Sequence, residues 1–243
     1  MTIPREVAIV VGRPPMDKGM VLPELLEGLG LDPGAEEGRR WAVRCAHALG
    51  LEGIAVHMQP GEELVWFSDD TSARLADAQF TLGQGPGLDE DEAEVPLQVA
   101  DVRTSADHRW QQFAAEAEIL GVRAVFVWPL RSGAARLGTL TGYRSTPGTL
   151  TTQQAQDGLA MADVLAGRLL SWHPGSTAPG DGPGTAGVLE LHRAEVHQAT
   201  GVLSYQLGVP MDEALAHLRA RAFAAGQPLT DVARALLSQL PST

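Results

Sequence analysis

One stretch rich in glycine and proline, WHPGSTAPGDGPGTA at 172–186, limits how this chain can fold more than any other feature. It holds four glycines and three prolines, and no aliphatic side chain larger than alanine. Proline removes backbone donors and glycine raises the entropy cost of ordering, so the stretch is typical of a linker. We therefore expect two domains, at 36–171 and 187–243, preceded by a weakly patterned and only partly ordered lead at 1–35.

The charge of the chain is divided unevenly at this linker. The whole chain has 18 basic and 30 acidic side chains, a net charge of −12, which excludes a nucleic-acid binder with a broad basic surface. Residues 187–243 carry four arginines and five carboxylates, net −1, whereas the rest carries 14 basic and 25 acidic side chains, net −11. The acidity thus belongs to the first domain, and the second domain can still be a small nucleic-acid-binding module.

Cysteine and histidine usage excludes several kinds of site. The single cysteine, Cys45, rules out internal disulfides and zinc sites built on several thiolates, and its place on an apolar helix face predicts a core residue. No histidine spacing is typical of a metal site, so we predict no metal. The apolar run at 7–11 is too short for a signal peptide or a membrane span, which favours a cytoplasmic protein without membrane contact.

The first domain mixes helical and strand patterns. Apolar residues at helical spacing predict helices at 36–49, 108–120 and 151–170, the last opened by a capping box of Thr151 and Gln154. Strands are predicted at 53–58, 63–68, 95–100, 123–130 and 136–143. We expect the residues between the second and third strands to be loop, with positive φ angles in the glycine-rich run at 83–87. This order predicts an α+β domain in which helices cover an antiparallel sheet.

The second domain shows only helical periodicity. One helix is predicted to end at Gly208, a second to run from about Met211 to Gly226, and Pro228 to open a third. Three short helices in this length bury a marginal core, which favours dimerisation or packing against a partner.

A series of motifs runs through these three helices: Ala199-x-Gly201-Val-Leu, Asp212-Glu213-Ala214, Leu218-Arg219 and Leu229-x-x-Val232-Ala233. In order and spacing the series resembles the ANTAR domain, a three-helix RNA-binding module of bacterial transcription antiterminators, over nearly all of 187–240. The resemblance implies that the second domain binds hairpin loops in nascent RNA. It implies RNA contacts at Arg193, Gln198, Thr200, Arg219 and Arg221. Thr200 stands where many ANTAR domains have lysine.

The first domain, with its segments LGQGPGLD and GVRAVFVWPL and its closing helix, looks like a GAF domain of the type found ahead of ANTAR in one-chain sensors. GAF domains bind very different small molecules, so the resemblance implies an unidentified small-molecule ligand and names no cofactor. Large side chains on the predicted strands are candidates for lining its pocket, although ordinary core filling explains them more simply. They are Trp66, Phe67, Phe126, Trp128 and Tyr143.

Together the resemblances imply a homodimeric, signal-responsive regulator of transcription antitermination without catalytic residues. Two alternatives stay open. One is a dimerisation or protein-interaction regulator that has lost RNA binding, in which the arginines are solvated helix charges paired with nearby carboxylates. The other is a GAF-type free methionine sulfoxide reductase, which a lone Cys45 disfavours because that chemistry needs several redox cysteines.

Overall fold

A computed structural model of the chain describes residues 35–58, 63–88, 96–104, 110–171 and 194–239. Its contacts divide the chain into two units, Met1–Glu190 and Leu191–Thr243. The predicted linker at 172–186, and all of the predicted lead except its last residue, lie outside the described residues. No helix within the described ranges has the length and apolar character needed to cross a membrane.

The first unit is built on one antiparallel sheet, as the strand pattern predicts. Its helices are α1 (Ala35–Ala48), α2 (Asp70–Leu82), α3 (Gln111–Ile119) and α4 (Thr152–Ser171). Its strands are β1 (Gly53–Met58), β2 (Glu63–Phe67), β3 (Leu97–Val99), β4 (Ala124–Ser132) and β5 (Ala135–Arg144). They are ordered β2-β1-β5-β4-β3, with every neighbouring pair antiparallel. The α+β fold expected for this unit is confirmed.

The sheet separates two layers of helices. Helices α1 and α4 pack on one face, where Trp41, Cys45 and Met161 join the apolar residues of β1, β4 and β5. On the opposite face, Leu75 of α2 and Phe113 of α3 pack against β3 and β4. Cys45 is fully buried, so its predicted place in the core is confirmed. Successive residues of the central strands therefore point to opposite faces of the sheet, and both faces are buried.

Helix α2 occupies residues that we expected to be loop, and that expectation is wrong. Asp69 caps the helix: its Oδ1 accepts a hydrogen bond from Ser72 N at 2.8 Å, while Ser72 Oγ accepts one from Asp69 N at 3.3 Å. This capping box has serine where glutamate or glutamine usually stands. The helix ends at Gly83, which with Gly85 has the positive φ angle predicted for the glycine-rich run.

The second unit is a three-helix bundle, as predicted. Its helices are α5 (Ala194–Leu207), α6 (Met211–Ala225) and α7 (Leu229–Ser238). Gly208 and Gly226 follow the first two helices with positive φ angles, which end each helix where the sequence predicts. The core consists of small and branched side chains, namely Val196, Ala199, Thr200, Leu203, Ala214, Leu218, Ala222, Leu229 and Ala233. Arg234 of α7 binds Glu195 of α5 at 3.3 Å, which links these two helices at the surface, and Asp231 of its own helix at 3.2 Å.

Candidate functional site

Helix α2 is bonded to the sheet through Asp69, the residue that caps its N-terminus. Tyr143 of β5 donates a hydrogen bond from its hydroxyl to Asp69 Oδ1 at 3.1 Å, and Ser68 Oγ donates one to Asp69 Oδ2 at 2.6 Å. Burial, and then the neighbouring Asp69 carboxylate, raise the pKa of Tyr143 to about 12, so its hydroxyl stays protonated and able to donate. The start of α2, which packs against β1 and β2, is thus bonded to Tyr143 of β5 and to Ser68, the residue after β2.

A recess of about 10 Å³ lies between α2 and the sheet. This volume admits about one water molecule. The recess is lined by His57 of β1, Ala76 and Gln79 of α2, Gly87 and Leu88 of the following loop, and Arg136, Gly138 and Thr139 of β5. Residues from four separate parts of the sequence thus meet at one point on the α2 face of the sheet.

Gly87 is held by two of the side chains that line the recess. Its N–H donates to Gln79 Oε1 at 2.9 Å, and its carbonyl accepts from Arg136 Nη2 at 2.8 Å. A Cβ on Gly85 would lie 2.6 Å from Gln79 Cγ, and one on Gly87 would lie 3.1 Å from Gln79 Oε1. The glycines therefore let the loop at 83–88 lie directly against Gln79 and form one wall of the recess.

The polar groups around the recess include one guanidinium and the imidazole of His57. The guanidinium of Arg136, the amide of Gln79 and the hydroxyl of Thr139 line it, and none of the described lining residues is acidic. Thr141 lies beside Gly87, and its buried hydroxyl has no hydrogen-bond partner within the described residues. A buried polar group left without a partner costs free energy. The arrangement suits a small polar or anionic molecule, provided that the loop at 83–88 moves outward.

The five aromatic residues predicted to line a pocket do not come together. Trp66, Phe126 and Trp128 belong to the face covered by α1 and α4, where the Trp66 ring packs edge-on against Trp41 with 5.7 Å between centroids. Phe67 and Tyr143 belong to the opposite face.

None of these five side chains lines the recess. Phe126 and Trp128 are fully buried, and Tyr143 positions α2 through Asp69. The structure thus supports core filling for these residues instead of a shared pocket. The residues that form the recess include Gln79 and Arg136. They were not predicted from the sequence because helix α2 was not predicted. The glycine-rich run at 83–87 was the available signal.

The structure places the predicted RNA contacts at different depths in the second unit. Arg193 lies outside the described residues. Gln198 of α5 and Arg221 of α6 are exposed, and Arg219 is half-buried. Because Arg219 and Arg221 are two residues apart, about 200° around a helix, they lie on different sides of α6.

Thr200 is buried, unlike the other described residues that were predicted to contact RNA, so its predicted role in RNA binding needs correction. Only 3% of the residue is exposed, and its Oγ1 donates a hydrogen bond to the carbonyl of Val196 at 2.7 Å. A hydroxyl that is bonded within its own helix and packed in the bundle core is not offered to a partner. Thr200 is therefore a core residue in this structure.

Two aromatic side chains that sequence analysis did not single out are the most exposed ones in this unit. Tyr205 of α5 is 91% exposed and Phe223 of α6 is 71% exposed. Helical periodicity indicates that Tyr205 is exposed, because its position lies opposite the apolar residues Ala199 and Leu203 on the helix.

Solved structures similar to the first unit include several GAF domains. The GAF domain of a phosphoenolpyruvate-protein phosphotransferase from Coxiella burnetii is 16% identical, with 62% of this chain and 94% of that chain covered and a TM-score of 0.42. The corresponding GAF domain from Acinetobacter is 9% identical, with 62% and 89% covered and a TM-score of 0.41. A free methionine-R-sulfoxide reductase from Neisseria meningitidis, solved with its substrate, is 18% identical, with 62% and 87% covered and a TM-score of 0.43.

Sequence comparison gives a definite result for the second unit. No curated protein matches the chain. The model of the ANTAR domain family matches residues 191–237. The match spans α5, α6 and all of α7 except its last residue. The second unit of this chain therefore belongs to the ANTAR domain family.

Proposed function

We propose that this protein regulates transcription antitermination: its ANTAR domain binds hairpin loops in nascent RNA, and its first unit is a GAF-type sensor. The observation that carries the proposal is the ANTAR match, which includes residues from all three helices of the bundle. The exposed amide of Gln198 and the exposed guanidinium of Arg221 supply the hydrogen-bonding groups that such a surface needs.

Hairpin loops suit this surface better than duplex RNA. The described residues of the bundle include three arginines and four carboxylates, and Arg234 is bonded to two of those carboxylates. Coating a duplex requires many phosphate contacts, and each contact needs a cation. Loops expose unpaired bases that stack on side chains and form hydrogen bonds through their edges, so fewer cations suffice.

The recess beneath α2 is the proposed place for a small-molecule signal. Its volume admits only about one water molecule, so a larger ligand requires that Gly87 leaves Gln79 and Arg136. A ligand with carboxylate or other acceptor oxygens would take over the Arg136 donor as the loop moves. Binding thus couples to the conformation of the loop at 83–88, as a sensor requires.

We further propose that the protein acts as a homodimer. The bundle is short and its core contains mainly alanine, valine and leucine, which gives it a small store of buried apolar surface. Two copies in one dimer raise the effective concentration of the second binding event on an RNA with two loops.

The RNA-binding proposal is tested with the full chain and a library of RNAs, each with two stem-loops whose loop sequences are randomised. We expect repeated selection to enrich a loop sequence, and Arg221→Ala to weaken binding of the enriched RNA about three- to tenfold. The matched control is Arg40→Ala, which removes an exposed arginine from α1 in the first unit and leaves affinity unchanged.

Failure to enrich any loop sequence would overturn the proposal. A protein that enriches no RNA and sediments as a stable dimer would instead be a dimerisation or interaction module. Sedimentation of the same sample therefore distinguishes the two functions.

A further inference from the structure

The outer side of α5 carries an amide and an aromatic ring along one line. Gln198, Gly201 and Tyr205 are spaced at i, i+3 and i+7, which places them on one face of the helix. That face points away from the buried Ala199 and Leu203. With 91% of Tyr205 exposed, both faces of its ring are open to solvent.

Gly201 leaves bare backbone between these two side chains. A Cβ added there would meet no atom within 4 Å, so packing inside the bundle does not require glycine at this position. Glycine in the middle of a helix is less stable than alanine. Close approach of a ligand to the backbone is one established reason for a glycine that local packing does not explain.

The charge of the bundle points to bases and not to phosphates as the main source of affinity. The described residues 194–239 carry a net charge of −1, so few phosphates can be neutralised. Base stacking on an aromatic side chain does not depend on net charge and contributes substantially for each base. Of the two exposed aromatic rings in this unit, Tyr205 lies on the same face as Gln198, one of the groups expected to contact RNA.

We propose that Tyr205 stacks on an unpaired base of the RNA loop, that this base lies against the bare backbone at Gly201, and that Gln198 binds its edge. Seven residues of helix span about 10 Å, which leaves room for one base between the ring and the amide. The carboxylate of α5 nearest to this face, Glu195, is bonded to Arg234. This inference rests on the proposed RNA-binding function and names the surface that reads the loop.

Three substitutions of Tyr205 test the stacking in the full chain, with the loop RNA enriched from the randomised library. Tyr205→Phe keeps the ring, so we expect affinity within about twofold of wild type. Tyr205→Ala and Tyr205→Leu remove the ring, so we expect affinity at least about fivefold lower for each. The matched control, Gln206→Ala, changes an exposed side chain about 100° away around the same helix and leaves affinity unchanged.

Gly201→Ala tests the close approach independently. The added methyl group fits the bundle and favours helix, so the melting temperature of the second unit rises. The same methyl group holds the base away from the backbone, so RNA affinity falls. A glycine with a purely structural role would not give these opposite changes.

The outcomes separate this inference from the function on which it rests. If the wild-type protein binds a selected RNA and Tyr205→Ala binds it equally well, the stacking proposal is wrong and the RNA-binding function stands. A wild-type protein that binds no RNA would overturn both. If Tyr205→Ala leaves RNA binding intact but dissociates a dimer in sedimentation, this face binds a second copy of the chain and the proposal is wrong.

Discussion

Gln79 and Arg136 hold the same residue, Gly87, from opposite ends of its backbone. The Gln79 side-chain oxygen accepts the Gly87 N–H at 2.9 Å, and the Arg136 guanidinium donates to the Gly87 carbonyl at 2.8 Å. One of these side chains belongs to α2 and the other to β5. Separation of the helix from the strand, or entry of a ligand between them, must therefore break at least one of the two bonds.

Replacing Gln79 with methionine keeps the volume of the side chain and removes the acceptor for a buried N–H. We expect Gln79→Met to lower the free energy of unfolding of the first unit by about 1–3 kcal/mol. Urea unfolding followed by tryptophan fluorescence measures it, because none of the five tryptophans lies after residue 172. Gln153→Met, at an exposed position on α4, is the control. An equal, small effect of both variants would show that the bond to Gly87 contributes little.

Two glycines of α4 have opposite surroundings. A Cβ on Gly158 would overlap the indole ring of Trp128, whereas one on Gly167 would meet nothing within 4 Å. Alanine raises helix propensity at both positions. We therefore expect Gly158→Ala to destabilise the first unit by about 1–3 kcal/mol through overpacking, and Gly167→Ala to stabilise it by about 0.5–1 kcal/mol. Paired urea curves check the signs, and stabilisation by both variants would contradict the packing of Trp128.

The pattern of apolar residues predicted the strands and most helices but missed α2. The buried face of α2 includes Gln79 next to Leu75, Ala76 and Phe80, so a polar side chain interrupts its apolar periodicity. That glutamine is buried because it binds Gly87, a residue outside the helix. Local sequence cannot reveal a polar side chain whose partner lies in a later loop. Gln79 is therefore the reason that neither helix α2 nor the recess was predicted from the sequence.

Asp101 and Arg123 form a two-pronged ion pair, with bonds of 3.1 and 2.7 Å, between the residues after β3 and those before β4. The hydrogen bond from Arg123 holds the pKa of Asp101 below its usual range. A lowered pKa in the folded state means that the carboxylate stabilises the protein above the unfolded value of about 3.9 and that this contribution disappears as pH falls further.

We expect Asp101→Asn to be less stable than wild type at pH 6, with the difference shrinking below pH 4. Urea midpoints measured across this range test the expectation. Asp163→Asn, which alters an exposed carboxylate on α4, is the control. A constant difference between Asp101→Asn and wild type at every pH would mean that the titration of Asp101 does not contribute.

Cys45 is predicted to be unreactive while the protein is folded. It is fully buried in the core between α1 and the sheet, and burial raises the pKa of its thiol to about 12. The thiolate is the nucleophilic form, so we expect no labelling by a thiol reagent at pH 8 until urea unfolds the first unit. A separate assay without the labelling reagent supplies methionine sulfoxide and a thiol reductant, and we expect no turnover. Rapid labelling with turnover would restore the reductase alternative.

Burial of Thr200 predicts that its hydroxyl does not contribute to RNA binding. Thr200→Val keeps the shape of the side chain and removes only the hydrogen bond to the Val196 carbonyl. We expect RNA affinity within about twofold of wild type and a stability change of about 1 kcal/mol or less. Gln198→Ala, on the exposed face of the same helix, should weaken binding. A loss of affinity in Thr200→Val without a change in thermal melting would show that Thr200 contacts RNA.

Helical spacing predicted the three helices of the ANTAR bundle, but it did not predict which of their side chains are exposed. Gly208 and Gly226 mark the ends of helices in the sequence itself, because only a residue that tolerates positive φ fits there. The place of Thr200 depends on the angle at which α5 meets the other helices, and a single helical pattern does not contain that angle. The exposure of Tyr205 was not predicted, because a tyrosine among apolar residues is usually part of a core.

The strand order has a consequence for synthesis of the protein on the ribosome. β5 lies between β1 and β4, and Gly53 of β1, the first strand of the chain, pairs with Tyr143 of β5, the last one described. Among the strands, β1 and β2 therefore leave the ribosome first and have only each other to pair with, and an isolated hairpin is marginally stable. The nascent chain keeps one edge of β1 unpaired until β5 emerges and joins the two halves of the sheet. The five-stranded sheet of the first unit can therefore be completed only after the chain has been synthesised through residue 144.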